Sequence, residues 1–153
     1  PKDCDGYRLP TNAEWEFLAR AGKVEATYAG PISNCHMCAE EPVLNDIAWY
    51  CANSGGKPHP CGQKTPNPWQ LYDMLGNVME WTDGGMKDLW DLGAVNPVPD
   101  WENAAFEFYH REVRGGSWWL PPRNATAYSR LSTEARVRHR QIGFRVVRTR
   151  TVE

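Results

Sequence analysis

Glycine and proline interrupt this chain at short intervals, and this limits the regular structure that it can form. The 153 residues include 13 glycines and 12 prolines, and a single segment carries a well-marked helix pattern. Glycine favours turns, and proline ends helices and central strands. We therefore predict a loop-rich α+β fold with one clear helix and short antiparallel strands, in a single domain that spans residues 1–153.

The helix pattern lies in "LPTNAEWEFLARAG", residues 9–22. Thr11 precedes Glu14 by three residues, which is the spacing of a capping box, and Gly22 stands where a C-terminal cap is expected. One apolar stripe of this helix is expected to be buried: Ala13, Phe17 and Ala21, with Leu18 beside them.

Three short segments near the C-terminus are predicted to be strands: "VRGGSWW", "ATAYSRL" and "IGFRVVR". In the last of these, Ile142, Phe144 and Val146 are expected to share one face, while Arg145 points to the other. Residues 83–110 are expected to form a long surface excursion.

Charge is unevenly distributed along the chain, although the formal net charge is only −2. Residues 111–150 hold ten arginines against Glu112 and Glu134, whereas residues 1–110 are acidic. These arginines are spaced along predicted strands rather than clustered in a run, so we expect the two parts to neutralise each other within one fold. Nucleic-acid binding is therefore not favoured.

No apolar run approaches the ~18 residues of a membrane-spanning helix, so we predict no membrane span. The first twenty residues show no basic start followed by an apolar block, so they do not resemble a signal peptide. The sequence leaves the cellular compartment open.

The segment "LYDMLGNVMEWT", residues 71–82, sets two carboxylates and a Gly-Asn pair among apolar side chains. It lacks strand alternation, and Gly76-Asn77 argues against one continuous helix. In one interpretation Asp73 caps a turn and Glu80 pairs with a C-terminal arginine. In the other, the segment is a loop that folds around a positive ion.

Four motifs together identify a family resemblance. "GYRLPTNAEWEFLARAG", "ANSGGKPHPCGQKTPNPWQLYDMLGNVMEWT", "VRGGSWW" and "IGFRVVR" occur in the order expected of the formylglycine-generating enzyme, or sulfatase-modifying factor, family. The resemblance runs from Gly6 to Arg148 and implies an irregular, C-type-lectin-like α+β fold. Family domains usually carry an N-terminal portion before "RLPT". The resemblance thus implies that this chain is the C-terminal portion. The N-terminal half could be a separate chain, it could have been cut away, or the protein could be a minimal version of the domain.

The resemblance also implies a calcium site in the 71–82 segment. By position, Asp73 and Glu80 would contribute side-chain oxygens, and Gly76 and Val78 would contribute backbone carbonyls. Mixed carboxylate and carbonyl oxygens are the ligands that Ca²⁺ prefers. Such a site would stiffen the loop rather than take part in chemistry.

Catalysis in this family depends on two cysteines that follow the "RGGS" motif and bind copper(I). Leu120 and Ala125 stand at about those positions, and no cysteine occurs after Cys61. Hydrocarbon side chains cannot hold copper(I) or form a thiolate. Copper is therefore not expected, and formylglycine-generating activity is not expected either.

Without that chemistry, we expect a non-catalytic ligand- or protein-binding module. Some relatives are diversified binding proteins of bacterial retroelements, in which the stretch between "GGSW" and "IGFR" is varied. The corresponding candidates for binding an unknown protein or small molecule are Trp119, Arg123, Tyr128, Arg136 and His139. The alternative is an oxygen-dependent oxidoreductase of the formylglycine-generating class with an altered active site.

The cysteines allow three interpretations. Cys35 and Cys38 form a CxxC motif, and together with Cys51 and Cys61 they could close a structural zinc site. Cys51 and Cys61 could instead form a disulfide that closes a hairpin. The third interpretation is free buried thiols.

Overall fold

The computed structural model describes residues 6–84 and 110–149. The elements, in chain order, are β1 (Tyr7–Arg8), α1 (Asn12–Arg20), α2 (Pro42–Asn45), β2 (Met79–Trp81), β3 (His110–Arg114), a 3-10 turn (Pro122–Asn124), β4 (Arg130–Glu134), β5 (Ile142–Phe144) and β6 (Val147–Arg148). Most of the described chain is loop and turn, so the predicted loop-rich α+β fold is confirmed.

The strands form two small sheets. A four-stranded sheet has the order β4-β3-β2-β5, and β1 pairs with β6 in a separate two-stranded sheet. All pairs are antiparallel except β2 with β5, which run parallel, so the larger sheet is mixed. Within the described residues, no helix is long and apolar enough to cross a membrane.

The start of α1 confirms the capping-box prediction. Thr11 accepts the backbone N–H of Glu14 through its side chain, and the Glu14 carboxylate accepts the backbone N–H of Thr11. The predicted buried stripe was wrong in part, because Ala13 is exposed and Phe17 is 64% exposed. The buried face carries Trp15 and Ala19 instead.

The C-terminal strand predictions were only partly correct. In "VRGGSWW" the strand ends at Arg114, and in "ATAYSRL" only the last two residues are in β4. "IGFRVVR" is split between β5 and β6, which belong to different sheets. The side chains of Phe144 and Val146 are exposed. The surface excursion predicted for residues 83–110 lies mostly outside the described residues.

The hydrophobic core lies beneath the loops rather than between two layers. It joins the buried face of α1 to α2, to the start of the 71–82 segment and to the segment after the 3-10 turn. Its buried members are Trp15, Ala19, Tyr28, Leu44, Ile47, Ala48, Tyr50, Met74, Leu75, Ala125 and Ala127. The first part of the 71–82 segment therefore packs in the core, and its last part forms β2. Both ends of the segment are held in place in this way.

Candidate functional site

Glu80 is a buried carboxylate near the C-terminal end of the 71–82 segment, within β2, with 6% of its surface exposed. Its Oε2 accepts the indole N–H of Trp15 at 2.7 Å and the Nε–H of Arg145 at 2.5 Å. Its Oε1 accepts Nη2–H of Arg145 at 2.6 Å. Two parallel bonds from a guanidinium to a carboxylate are a strong and directional pairing. Glu80 thus ties α1, β2 and the segment after β5 together.

Arg145 also contacts the backbone of the same segment. Its Nη2 donates to the carbonyl of Tyr72 at 3.1 Å and, more weakly, to that of Asp73 at 3.4 Å. Asp73 itself has a left-handed backbone, with φ of 54°. The positive group that the segment encloses in this structure is therefore a guanidinium. Of the two interpretations of the segment, pairing of Glu80 with a C-terminal arginine is the one that the structure contains.

The predicted calcium ligands lie in the same segment, but protein donors already bind the two carboxylates. Asp73 Oδ2 accepts the backbone N–H of Gly62 at 2.8 Å, and Glu80 is held by Arg145 and Trp15. Within the described residues, no group of three or more His, Cys, Asp or Glu side chains is arranged to hold a metal ion. A calcium ion at Asp73, Gly76, Val78 and Glu80 would have to share Glu80 with a guanidinium, so the donor set fits calcium poorly.

The Gly-Asn pair connects this segment to three other parts of the chain. Gly76 has φ of 72°, and an added Cβ would lie 2.3 Å from the carbonyl oxygen of Trp49, so only glycine fits. The Asn77 amide exchanges two hydrogen bonds with the backbone of His59, each 3.0 Å long. The backbone of Asn77 donates to Trp49 and accepts from Trp118. The sequence indicated a turn at Gly76-Asn77, but it did not indicate these contacts with Trp49, His59 and Trp118.

The cysteines do not form the predicted zinc site. Cys38 and Cys51 are joined in a disulfide, whereas Cys35 and Cys61 are free and exposed. The four-thiolate interpretation was wrong for this structure, because two of its sulfurs are bonded to each other. The disulfide interpretation named the wrong partner, since Cys51 pairs with Cys38 rather than Cys61.

All five residues predicted to bind a ligand are at exposed positions: Trp119, Arg123, Tyr128, Arg136 and His139. Trp119 is 55% exposed and Tyr128 is 51% exposed, whereas the neighbouring Trp118 is buried. The rings of Trp118 and Trp119 meet edge to face, 5.6 Å apart. Trp118 therefore supplies a fixed base from which Trp119 projects.

Two side-chain contacts hold the Trp118–Trp119 turn against the segment that carries His139. Ser117 Oγ donates to Gln141 Oε1 at 2.9 Å, and the Trp118 indole N–H donates to the Arg140 carbonyl at 3.4 Å. The Arg140 guanidinium lies 5.1 Å from the Trp118 ring. The structure thus brings Trp119 and His139 into one region. Arg123 lies in the 3-10 turn, and Arg136 follows β4.

Comparison with known proteins places this arrangement in a family. The profile of the Sulfatase-modifying factor enzyme 1-like domain matches residues 2–150. The chain belongs to the sulfatase-modifying factor family. Formylglycine-generating enzyme of Mycobacterium tuberculosis is 38% identical over 87 residues, which are 50% of this chain and 27% of that protein. Chaperone protein LppX of Paenibacillus barcinonensis is 36% identical over 95 residues, which are 51% of this chain and 31% of that protein.

Solved structures show the same family fold. Treponema denticola variable protein 1 matches 95% of this chain and 49% of that one, with 31% identity and a TM-score of 0.70. PvdO from Pseudomonas aeruginosa matches 93% of this chain and 52% of that one, with 29% identity and a TM-score of 0.72. The chain therefore spans about half the length of these solved relatives, and it corresponds to the C-terminal portion of a sulfatase-modifying factor domain.

This sulfatase-modifying factor chain has an exposed apolar face beside the Glu80–Arg145 pair. The Phe17 and Trp69 rings lie 4.8 Å apart, and Phe17 and Val146 line a groove of about 440 Å³. Leu71 and Arg145 line both this groove and a second one that includes Phe144, so the two grooves are adjacent. We call the exposed side chains Phe17, Trp69, Phe144 and Val146 the apolar face. Of these four residues, Phe17 was predicted to be buried, and that prediction was wrong.

The positions that correspond to the family's copper-binding cysteines lie in the loop before and after the 3-10 turn. Ala125 is 1% exposed and belongs to the core. The Leu120 carbonyl accepts the backbone N–H of Cys51 at 3.2 Å. The backbone of Gly116 packs closely against this loop, because a Cβ added at Gly116 would lie 2.6 Å from the Asn124 carbonyl oxygen.

Proposed function

We propose that this chain is a non-catalytic binding module on a sulfatase-modifying factor scaffold. The observation that carries the proposal is the chemistry at Leu120 and Ala125. Both side chains are hydrocarbon, and Ala125 is packed in the core. Copper(I) requires soft sulfur ligands, so neither residue can replace a copper-binding cysteine.

The binding surface that we propose is centred on Trp119. A rigid, partly exposed aromatic ring offers contact area at a low cost in conformational entropy. Trp119 is oriented by the buried Trp118 and by the Ser117–Gln141 hydrogen bond. Arg123, Tyr128, Arg136 and His139 add polar and aromatic groups on the same stretch of chain. Similarity to Treponema denticola variable protein 1 supports a recognition role for this stretch.

A display experiment tests the binding proposal. The wild-type chain selects ligands from a random peptide library, and the selected peptides are then measured against a variant with alanine at Trp119, Arg123, Tyr128, Arg136 and His139. We expect the affinity to fall at least about tenfold while the melting temperature changes little, because exposed substitutions usually cost under ~0.5 kcal/mol. The control carries Lys23→Ala and Lys57→Ala, which replace exposed cations elsewhere. Equal binding by both variants would contradict the proposal.

A second candidate is an oxidoreductase with an altered active site. It is favoured by the backbone hydrogen bond from Cys51 to Leu120, which brings the Cys38–Cys51 pair to the edge of the family's active-site loop. Incubating the chain with copper, oxygen and a CxPxR peptide tests it. We expect no aldehyde product. Aldehyde that depends on Cys51 would overturn the binding-module proposal and establish the oxidoreductase.

We also propose a polypeptide partner for the apolar face. The solved relatives are about twice as long as the matched region, and β1, which precedes α1, ends beside the groove at Arg8. A polypeptide equivalent to the N-terminal half of these relatives, in the same or another chain, would cover Phe144 and Val146.

Co-purification with the polypeptide encoded immediately upstream of Pro1 tests this partner. We expect a complex with the wild-type chain that is lost in the Phe144→Asp, Val146→Asp double variant. Val24→Asp, at a residue that is 87% exposed and lines neither groove, is the control and should retain the complex. Failure of the wild-type chain to form the complex, or retention by the double variant, would contradict the proposal.

A further inference from the structure

Cys35 and Cys38 lie on one surface loop, and a disulfide joins this loop to Cys51. The binding proposal does not use these three cysteines. Cys38 is exposed and forms a disulfide with the half-buried Cys51. Cys35 is a free and exposed cysteine three residues before Cys38. A free thiol thus accompanies an accessible disulfide within one CxxC motif, which is the combination that thiol–disulfide exchange requires.

Hydrogen bonds also hold the segment that carries Cys35 and Cys38 in place, independently of the disulfide. The buried Glu41 carboxylate accepts the backbone N–H groups of Ser33 and Asn34, at 2.8 and 2.6 Å. The backbone N–H of Glu41 donates to the Tyr50 hydroxyl at 2.8 Å, directly before Cys51. The segment that carries Cys35 and Cys38 is therefore fastened next to Cys51 without help from the sulfur–sulfur bond. Groups held together in this way react at a high effective concentration.

The backbone between the two cysteines of the motif is tightly turned. The Ala39 N–H donates to the His36 carbonyl at 3.2 Å, which closes a turn around Cys38. Met37 has φ of 25°, a left-handed conformation that is unfavourable for a residue with a side chain. A rearrangement of the motif that releases Met37 from this conformation would relieve that strain.

We propose that Cys35, Cys38 and Cys51 form a thiol–disulfide exchange site. The Cys35 thiolate attacks Sγ of Cys38, a new Cys35–Cys38 bond forms, and the Cys38–Cys51 bond breaks. The electron pair of the broken bond leaves on Sγ of Cys51, which takes up the proton that Cys35 lost. No outside oxidant or reductant is consumed, because one disulfide and one thiol are present before and after the step.

The exchange places a free thiol beside the family's active-site loop. The backbone N–H of Cys51 bonds to Leu120, and Leu120 follows the exposed Trp119. A thiol released at Cys51 could attack a disulfide, of a small molecule or of a protein, and disulfides are therefore the substrate class of this site. This inference does not depend on the binding proposal, because it concerns only the three sulfurs.

Disulfide mapping tests the site on the intact chain. The oxidised protein is incubated at mildly alkaline pH without oxygen, quenched with acid, alkylated and cut with a glutamate-specific protease. Cleavage after Glu25 and Glu40 places Cys35 and Cys38 in one peptide and Cys51 in another. We expect the linked pair of peptides to decline with time while peptide 26–40 with an internal disulfide appears.

Two variants decide between exchange and a static disulfide. Cys35→Ser should lose the internal-disulfide peptide completely, whereas Cys61→Ser removes the other free cysteine among residues 6–84 and 110–149 and should exchange as the wild type does. Circular dichroism of both variants confirms that each remains folded. If the wild type keeps only the Cys38–Cys51 linkage, or if Cys35→Ser still shows exchange, the proposal is overturned.

Discussion

The guanidinium of Arg145 lies against the carboxylate of Glu80, with Nε 2.5 Å from Oε2 and Nη2 2.6 Å from Oε1. The two residues are 65 positions apart in the sequence, and Arg145 also reaches the backbone carbonyl of Tyr72. A fixed positive charge therefore lies within the segment for which the sequence predicted calcium.

The response to calcium depends on this arginine. In the wild type, we expect millimolar calcium to raise the melting temperature only slightly relative to EDTA, because an ion at Glu80 and Asp73 meets the charge of Arg145. Arg145→Gln should lower the free energy of unfolding by about 3 kcal/mol, since it leaves a buried carboxylate with one strong partner fewer. The same variant should gain a larger calcium-induced shift in melting temperature. Thermal unfolding with calcium and with EDTA measures both effects.

A double variant is the control for the predicted calcium effect. Adding Asp73→Ala to Arg145→Gln should abolish the enlarged shift, because it removes the second predicted carboxylate ligand. A wild-type calcium shift as large as that of Arg145→Gln would show that the arginine does not compete with the ion.

The indole of Trp15 is a second determinant of stability at Glu80. Trp15→Phe keeps most of the packing volume but removes the N–H that donates to Glu80 at 2.7 Å. We expect a loss of about 1–3 kcal/mol in the free energy of unfolding, because a buried carboxylate loses one of its donors and keeps only those of Arg145. Trp119→Phe makes the same chemical change at an exposed site and should cost under ~0.5 kcal/mol. Urea unfolding of both variants gives the comparison, and equal losses would refute the assigned role of the hydrogen bond.

Gly76 is expected to be intolerant of any side chain. Gly76→Ala combines a left-handed backbone with a Cβ that would lie 2.3 Å from the Trp49 carbonyl oxygen. Gly55→Ala has a similar φ of 63° but meets nothing within 4 Å. We expect about 1 kcal/mol of destabilisation at Gly55 from the backbone alone. Gly76→Ala should cost more than about 3 kcal/mol, since the carbonyl must move. Chemical denaturation measures the free energy of unfolding of both variants. Similar losses would mean that the backbone at Trp49 moves aside at little cost and would contradict the prediction.

Acid should remove the contribution of Glu14. The hydrogen bond from Arg8 lowers the pKa of Glu14 to about 2 from its ordinary value of 4.5. A carboxyl whose folded-state pKa is lowered stabilises the fold above its unfolded pKa, and this stabilisation is lost as pH falls through the folded pKa. The Glu14→Gln variant should therefore be less stable than the wild type at pH 6, and the difference should shrink between about pH 4.5 and pH 2. Melting temperatures across this range measure the trend.

The exposed Glu25 supplies the control for that titration. Glu25→Gln should differ little in stability from the wild type at pH 6, because no described salt bridge joins an arginine to the Glu25 carboxylate. A Glu14→Gln difference that stays constant with pH would mean that the ion pair with Arg8 contributes nothing, as happens for many partly exposed pairs.

Features that depend on neighbouring residues could be predicted from the sequence. The capping box needs only Thr11 and Glu14, which are three residues apart, so its prediction was confirmed. The order of four motifs was enough to identify the family. The alternation in "IGFRVVR" also placed Arg145 opposite Phe144, which agrees with an arginine that reaches inward while the phenylalanine is exposed.

Features that depend on distant partners were decided by the tertiary structure. Composition cannot choose among ten arginines for the partner of Glu80, and spacing cannot choose Cys38 over Cys61 for Cys51. Burial of the α1 side chains was also decided by the tertiary structure. Trp15 and Phe17 both fit a helical apolar stripe, but Trp15 is buried, with its indole N–H bonded to Glu80, and Phe17 is exposed. A hydrogen bond within one helical turn is fixed by local backbone geometry. A pairing across 65 residues depends on how loops without a repeating pattern pack around a shared core, and no short-range signal in the sequence records that packing.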